Sequence, residues 1–343
     1  MKIRMGAKIA LRRLNAVARF FDSKRQRSIV VIRGREEIYL DLSSVDEFEF
    51  LSGDMLRILP AALGVLKTPD GCRHLERRDG SGIRVPSSYT TIPYRHYLIP
   101  EHLMMLTGAG AATWEVIGKK HVANYQEFMG LSSGMTFLEI GCGIGRDAFQ
   151  LFDVLGDGRY EGVDVTRESI IWCQRNISRD HPNFIFHHFD ANHELYNPLG
   201  KKSSLDFELP TPNLSVDRIA LGSVFTHLFE QEVVHYMKEI ARVLKSDGLA
   251  YATFFLYSEE TIAAARKNNL TPNNLMFRHP YGDGCFVNDA AYPTGAVAYS
   301  DDAMRRMISK AGLRLARPYL KGWWSGLHAE ADDGQEVAIL TPA

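Results

Sequence analysis

The stretch FLEIGCGIGRDA, residues 137–148, runs an apolar segment into three glycines at alternate positions, Gly141, Gly143 and Gly145. An apolar run closed by such a turn reads as a buried strand followed by a ligand-holding loop. A phosphate-binding P-loop needs G-x-x-x-x-G-K-[ST], and no Lys-Ser or Lys-Thr follows here. The dinucleotide fingerprint needs G-x-G-x-x-G, but Arg146 stands where its last glycine belongs. Arginine there suits a ligand without a diphosphate. Glu139, two residues before Gly141, would repel phosphate and suit a cationic group.

Outward from this loop the chain alternates regularly. TFLEI, YEGVDV, FIFHHF, VDRIALGSV and LAYATFF read as strands. Helices are expected at 146–155, 168–177 and 230–244, the last stopped by Ser246-Asp247-Gly248 as a C-cap signal. DDAMRRMISKAG and the runs LRLARPYL and EVAILT complete the pattern. Strand–helix repeats at this spacing build a parallel sheet covered on both faces, a doubly wound α/β domain. The domain boundary falls near residue 110, beside GAGAA. That leaves residues 1–110 as an N-terminal accessory region and 111–343 as the α/β domain.

In such a sheet the ligand lies outside the carboxyl ends of the strands, where strand order reverses. Asp164, 23 residues after Gly141, ends the second strand, placed to accept from ribose hydroxyls. Asp190 ends the third, placed to accept from an adenine amino group. Each acid alone could equally cap a turn; together beside the glycine loop they are far more specific.

This constellation resembles the class I S-adenosylmethionine-dependent methyltransferases, on LEIGCGIGR, YEGVDV, FHHFDA, SVFTHL and LKSDGLAYATFF. The resemblance implies S-adenosylmethionine as cofactor. It implies that Glu139, Gly141, Cys142, Gly143 and Gly145 wrap the amino-acid part of the cofactor, and that Asp164 with Val165 holds the ribose. Asp190 would hold the adenine edge with Ala191 beneath the ring, and Ser223 would be a further cofactor contact. A narrower resemblance, on IIWCQRNI, HPNFIFHHFDANHELYNPLG and SVFTHL, is to small bacterial methyltransferases associated with polysaccharide and glycan biosynthesis. Members of that group often end in a Gly-aromatic-Trp/Cys segment near a Gln-Asp pair; here KGWWSG and Gly334-Gln335-Glu336 stand, with Glu for Asp.

Methyl transfer from a sulfonium needs in-line alignment and a deprotonated acceptor more than covalent help. The acceptor would enter at 223–227, where His227 is the candidate general base; the bland alternative is a helix-capping or wall-stacking role. His279, Tyr281 and Trp323 are the candidate acceptor contacts, since aromatic faces suit sugar rings. Residues 259–300 read as a long insertion, either an acceptor lid or a structural excursion. Trp172 and Cys173 read as packing. SVFTHL holds no acid, which favours a metal-independent reaction, although Asp190 and Glu194 could ligate. The acceptor expected is a hydroxyl of a saccharide, glycolipid or small metabolite. N-methylation of a protein, RNA or small molecule, and a non-catalytic cofactor-binding scaffold, are the alternatives. The Asn-Pro-Pro-Tyr type of motif for planar nitrogen acceptors is absent.

Composition sets the frame. The chain has 45% apolar residues and a formal net charge of −1, which argues against a bulk nucleic-acid surface. Four scattered cysteines, with no C-x-x-C, suit a reducing, cytoplasmic setting and no zinc site. Residues 1–21 carry six basic residues and no acid, with apolar residues at roughly helical spacing. That pattern reads as a helix lying on an anionic membrane surface or as one packed on the rest of the protein.

Overall fold

The computed structural model describes residues 91–343 apart from 199, 269, 272 and 273, together with the backbone of several strands before residue 91. The chain divides into two compact units. One comprises residues 1–112 with 192–201; the other comprises 113–191 with 202–343.

The first unit contains short antiparallel sheets. Val17–Ser23, Gln26–Arg33 and Glu36–Asp41 pair antiparallel in that order, with Arg33 opposite Glu36. The N-terminal helix reading is corrected at its end, because Val17–Ser23 is a strand and takes Phe20 and Phe21 with it. The rest of that reading, residues 1–16, lies outside the described residues.

The second unit is the doubly wound α/β domain. Its elements are α1 (Ala111–Met129), β1 (Thr136–Ile140), α2 (Ala148–Leu155), β2 (Arg159–Asp164), α3 (Arg167–Asp180), β3 (Phe184–His188) and β4 (Val216–Leu221). They are followed by α4 (Glu230–Val243), β5 (Leu244–Tyr257), α5 (Glu259–Asn268), β6 (His279–Pro280), β7 (Cys285–Val287) and β8 (Val297–Ser300). α6 (Asp301–Lys310), β9 (Leu313–Leu315) and β10 (Glu336–Pro342) close the chain. Strands run β3-β2-β1-β4-β5 in parallel, so the order reverses between β1 and β4. β10 pairs antiparallel with residues 250–254 of β5, and β9 pairs with β10.

Strand alternation sorts the two faces. Leu138 and Ile140 of β1 join Ile219, Leu221, Ala250 and Ala252 under α4 and α6. Phe137 points to the opposite face, where Tyr125 of α1 lies 5.4 Å and Tyr160 of β2 lies 6.2 Å away, ring centre to ring centre. Each such buried aromatic removes enough apolar surface from water to contribute about 1.5–3 kcal/mol.

Two expectations are revised. α4 ends at Val243 and passes directly into β5 through an extended Leu244, so Ser246-Asp247-Gly248 lies inside the strand segment and caps nothing. Tertiary pairing overrides the local stop signal here: the loop before β4 satisfies the last helical carbonyls, Leu214 N donating to Arg242 O and Ser215 N to Val243 O. The insertion at 259–300 is built rather than loose. After α5, strands β6, β7 and β8 extend the sheet, β8 lying parallel to residues 255–257 of β5. This extension has its own core of Phe255, Ile262, Phe277, Ala298 and Trp324. No helix among the described residues is long and apolar enough to cross a membrane.

Candidate active site

Gly141, Gly143 and Gly145 follow β1 with φ of +80°, +53° and +82°, a region that costs any other residue steric strain. Space is equally restrictive. A Cβ on Gly141 would stand 2.6 Å from Val224 Cγ2, and one on Gly145 would stand 2.8 Å from Ile177 Cδ1. The loop therefore turns tightly between the end of β4 and α3, at the point of strand reversal. Its backbone is tied to the next strand: Gly143 N–H donates to Asp164 Oδ2 at 2.7 Å, and Thr166 N–H to Asp164 Oδ1 at 2.6 Å. Burial pushes the Asp164 carboxyl up, opposed by those bonds. At the end of β3, Phe189 N–H donates to Asp164 O at 3.0 Å, which brings Asp190 and the buried Ala191 alongside. Val165 sits half-buried, its carbonyl accepting from His188 Nε2 at 3.1 Å.

Two residues expected at the ligand turn their side chains inward. Glu139 is buried and accepts the Tyr160 hydroxyl at 2.5 Å; burial, followed by the nearby Asp147 charge, raises its pKa well above the carboxylate range. Such a group is not an open counter-charge for a cation, which revises that part of the reasoning from the sequence. Cys142 is also buried, and burial raises its thiol pKa, so the loop presents backbone there. Cys173 is equally buried, in keeping with a packing role.

A layer that sequence reading missed lies over this loop. α1 places Trp114, Gly118, His121 and Tyr125 on one stripe, spaced four, three and four residues apart. Trp114 packs edge-on against Phe149 of α2 at 5.6 Å. Gly118 allows the helix to close on the loop, since a Cβ would lie 3.0 Å from Arg146 O. His121 Nδ1 lies 2.8 Å from Asp147 Oδ2, the Tyr125 hydroxyl donates to the same oxygen at 2.8 Å, and Arg146 Nε donates to Oδ1 at 3.0 Å. Although burial alone would raise its pKa, His121 and Arg146 hold Asp147 far below the usual range. Arg146, which sequence reading used only as a missing glycine, is one arm of this buried cluster. The W-x3-G-x2-H-x3-Y spacing was the available signal.

The other side of the mouth is built by the ends of β4 and β5 and the approach to β10. Ser223 is exposed and has φ +58°, unusual for a residue with a side chain. Its N–H donates to Thr253 Oγ1 at 2.7 Å, Thr253 Oγ1 donates to Gln335 Oε1 at 2.6 Å, and Gln335 Nε2 donates to Ser223 Oγ at 2.8 Å. His227 Nδ1 lies 2.8 Å from the Thr294 carbonyl. A carbonyl only accepts, so Nδ1 carries the proton and Nε2 the lone pair. Burial lowers the pKa of His227, partly opposed by that bond.

KGWWSG and Gly334-Gln335-Glu336 come together: Trp323 N–H donates to Asp333 O, Trp324 N–H to Gly334 O, and the Trp324 indole to Glu336 Oε2 at 2.8 Å. Trp323 itself is 48% exposed, with its Nε1 beside Gly334. Tyr281 is 50% exposed and stacks on Phe229, two residues past His227, at 4.6 Å. His279 is exposed on the edge strand β6. Among the described residues no group of three or more His, Cys, Asp or Glu side chains is placed to hold a metal ion.

The residues suit S-adenosylmethionine. A loop in which Gly141 and Gly145 admit no Cβ lets backbone approach a ligand closely, and Asp164 places a carboxylate at the next strand end.

A family model described as a methyltransferase domain matches residues 137–248. Among solved structures, the mitomycin 7-O-methyltransferase MmcR is 14% identical with a TM-score of 0.42, over 68% of this chain and 55% of that one. The chain thus spans little more than half of that relative's length. A TehB-like S-adenosylmethionine-dependent methyltransferase from Corynebacterium glutamicum is 16% identical with a TM-score of 0.39, over 66% of this chain and 89% of that one. An S-adenosylmethionine-dependent methyltransferase from Aquifex aeolicus is 16% identical with a TM-score of 0.41, over 70% and 95%. Residues 137–248, which hold the glycine loop, Asp164, Asp190 and His227, are thus similar to a methyltransferase domain, the kind of domain whose cofactor is S-adenosylmethionine.

Proposed function

We propose that the enzyme methylates a hydroxyl of a saccharide, glycolipid or small metabolite, with His227 as general base. The observation that supports this reading is the Thr294 carbonyl on His227 Nδ1, which fixes the tautomer of an imidazole on the segment that follows β4. When bound, S-adenosylmethionine supplies a methyl carbon on a positively charged sulfur, already electrophilic. The backbone of Gly141 to Gly145 would bear its methionine part. Asp164 would accept from the ribose hydroxyls, and Asp190 with Ala191 would meet the adenine. His227 Nε2 would take the proton of the acceptor hydroxyl as that oxygen receives the methyl group. Trp323 and Tyr281 supply exposed aromatic faces for a ring-shaped acceptor, with His279 at the outer edge.

The test is a screen of cell-envelope saccharides with radiolabelled methyl donor, followed by His227→Gln on the acceptor found. A positioned base contributes about 10²–10⁴-fold, so kcat should fall by that factor. Because burial depresses the pKa, the wild-type rate should hold as pH drops through 6.5 and fall only below it. Full turnover by His227→Gln at neutral pH would remove the residue as base.

A further inference from the structure

Ser223, Thr253 and Gln335 close a ring of three hydrogen bonds at the mouth of the site, joining residues 112 positions apart in sequence. In the arrangement observed, Thr253 Oγ1 accepts from Ser223 N–H and gives its one hydroxyl proton to Gln335 Oε1. The Gln335 amide is thereby oriented, its NH₂ end toward Ser223 Oγ. Since Ser223 Oγ accepts there, its own proton points elsewhere.

The ring leaves two donors uncommitted: the Ser223 hydroxyl and the second N–H of Gln335. Both belong to partly or fully exposed side chains. The Thr226 hydroxyl fixes the same turn from below by donating to Ser223 O at 2.9 Å. Strained backbone of the kind seen at Ser223 persists only where its surroundings over-determine it, and it gathers at binding sites. A glycine would fill this position without strain; serine adds a hydroxyl at that cost.

We infer that Ser223 and Gln335 form a subsite for the oxygen adjacent to the methylated one, selecting acceptors with vicinal hydroxyls. The inference rests on the saccharide reading above. Two donors converging on the attacked oxygen would drain the lone pair it needs. On a neighbouring oxygen they hold the ring of the acceptor while leaving the nucleophile to His227. Neutral donors also discriminate by omission: a deoxy analogue leaves both buried under the acceptor without a partner.

The test uses the full chain saturated with S-adenosylhomocysteine and a panel of methyl hexopyranosides, each with its monodeoxy analogues, titrated by saturation-transfer NMR and calorimetry. For the glycosides that bind, wild type should prefer the vicinal diol over one monodeoxy analogue by about tenfold. Gln335→Glu keeps the acceptor for Thr253 but loses the donor, and Ser223→Gly keeps the backbone conformation but loses the hydroxyl. Each should cut that preference to less than about threefold, with melting curves confirming a folded protein. Wild-type binding without the preference, or variants that retain it, overturns the subsite alone. If Ser223→Gly weakens S-adenosylhomocysteine instead and keeps the preference, the pair serves the cofactor and the inference is wrong. Failure of wild type to bind any glycoside overturns the saccharide reading and the subsite with it.

Discussion

The two sides of the site are made differently. The proposed cofactor side is a contiguous loop whose three glycines all take left-handed backbone, with neighbours at Gly141 and Gly145 that leave no room for a Cβ. The proposed acceptor side is assembled from distant pieces: His227 is oriented from Thr294, Ser223 from Gln335, and Trp324 by Glu336. The first side is specified by local chemistry, the second by long-range contacts between side chains. Each can be broken separately, and the sizes of the effects measure how separate they are.

The largest effect should come from Asp147, which anchors α1 to the loop. Asp147→Asn leaves Arg146 and His121 facing a neutral amide in a buried site. Removing one partner of a buried ion pair costs about 3–5 kcal/mol. Chemical denaturation should show a loss of that order, and a loss below about 1 kcal/mol would mean that α1 is held by its apolar stripe alone.

Gly141→Ala comes next. A left-handed alanine costs about 1–2 kcal/mol, and forcing a methyl to within 2.6 Å of Val224 adds overpacking strain of about 1–3 kcal/mol. S-adenosylhomocysteine affinity should fall at least tenfold, and the strain should lower the melting temperature by several degrees or more. If the variant binds as wild type does, the loop does not need its glycine there.

The smallest effect lies on the acceptor side and has a characteristic pH dependence. Glu336 is buried, holds the Trp324 indole and the Leu256 N–H, and has its pKa pushed up to about 7 by burial. Its folded pKa is above its unfolded value, so the stability it contributes is fully present below about 4.5 and lost as pH rises through 7. Glu336→Gln should remove that loss, narrowing the stability difference between pH 5 and pH 8 by about 1–3 kcal/mol. Thermal melts at the two pH values report it. An unchanged difference would mean that Glu336 is ionised throughout.

The same contrast explains what could be read from the sequence. FLEIGCGIGRDA and the acids at 164 and 190 were legible because glycine spacing and strand-end position act within a few residues. The parallel, doubly wound sheet followed from strand–helix alternation, while the order β3-β2-β1-β4-β5 came from the structure. Asp147 was not legible as a hub, because its partners His121 and Tyr125 sit 26 and 22 residues earlier on another helix. Gln335 was visible as part of a terminal motif, but nothing local could tell that it reaches Ser223. The C-cap at Ser246-Asp247-Gly248 failed because pairing of β5 outweighed a turn preference. The insertion looked like a loop because its strands are short: β6 has two residues and β7 three.

The most direct test of the central claim is calorimetry on the full chain with S-adenosylhomocysteine and, separately, with NAD. A loop lacking the third fingerprint glycine, with Asp164 at the next strand end, should bind S-adenosylhomocysteine and show no heat with NAD; Asp164→Ala should weaken the first. Binding of NAD without S-adenosylhomocysteine would contradict the account.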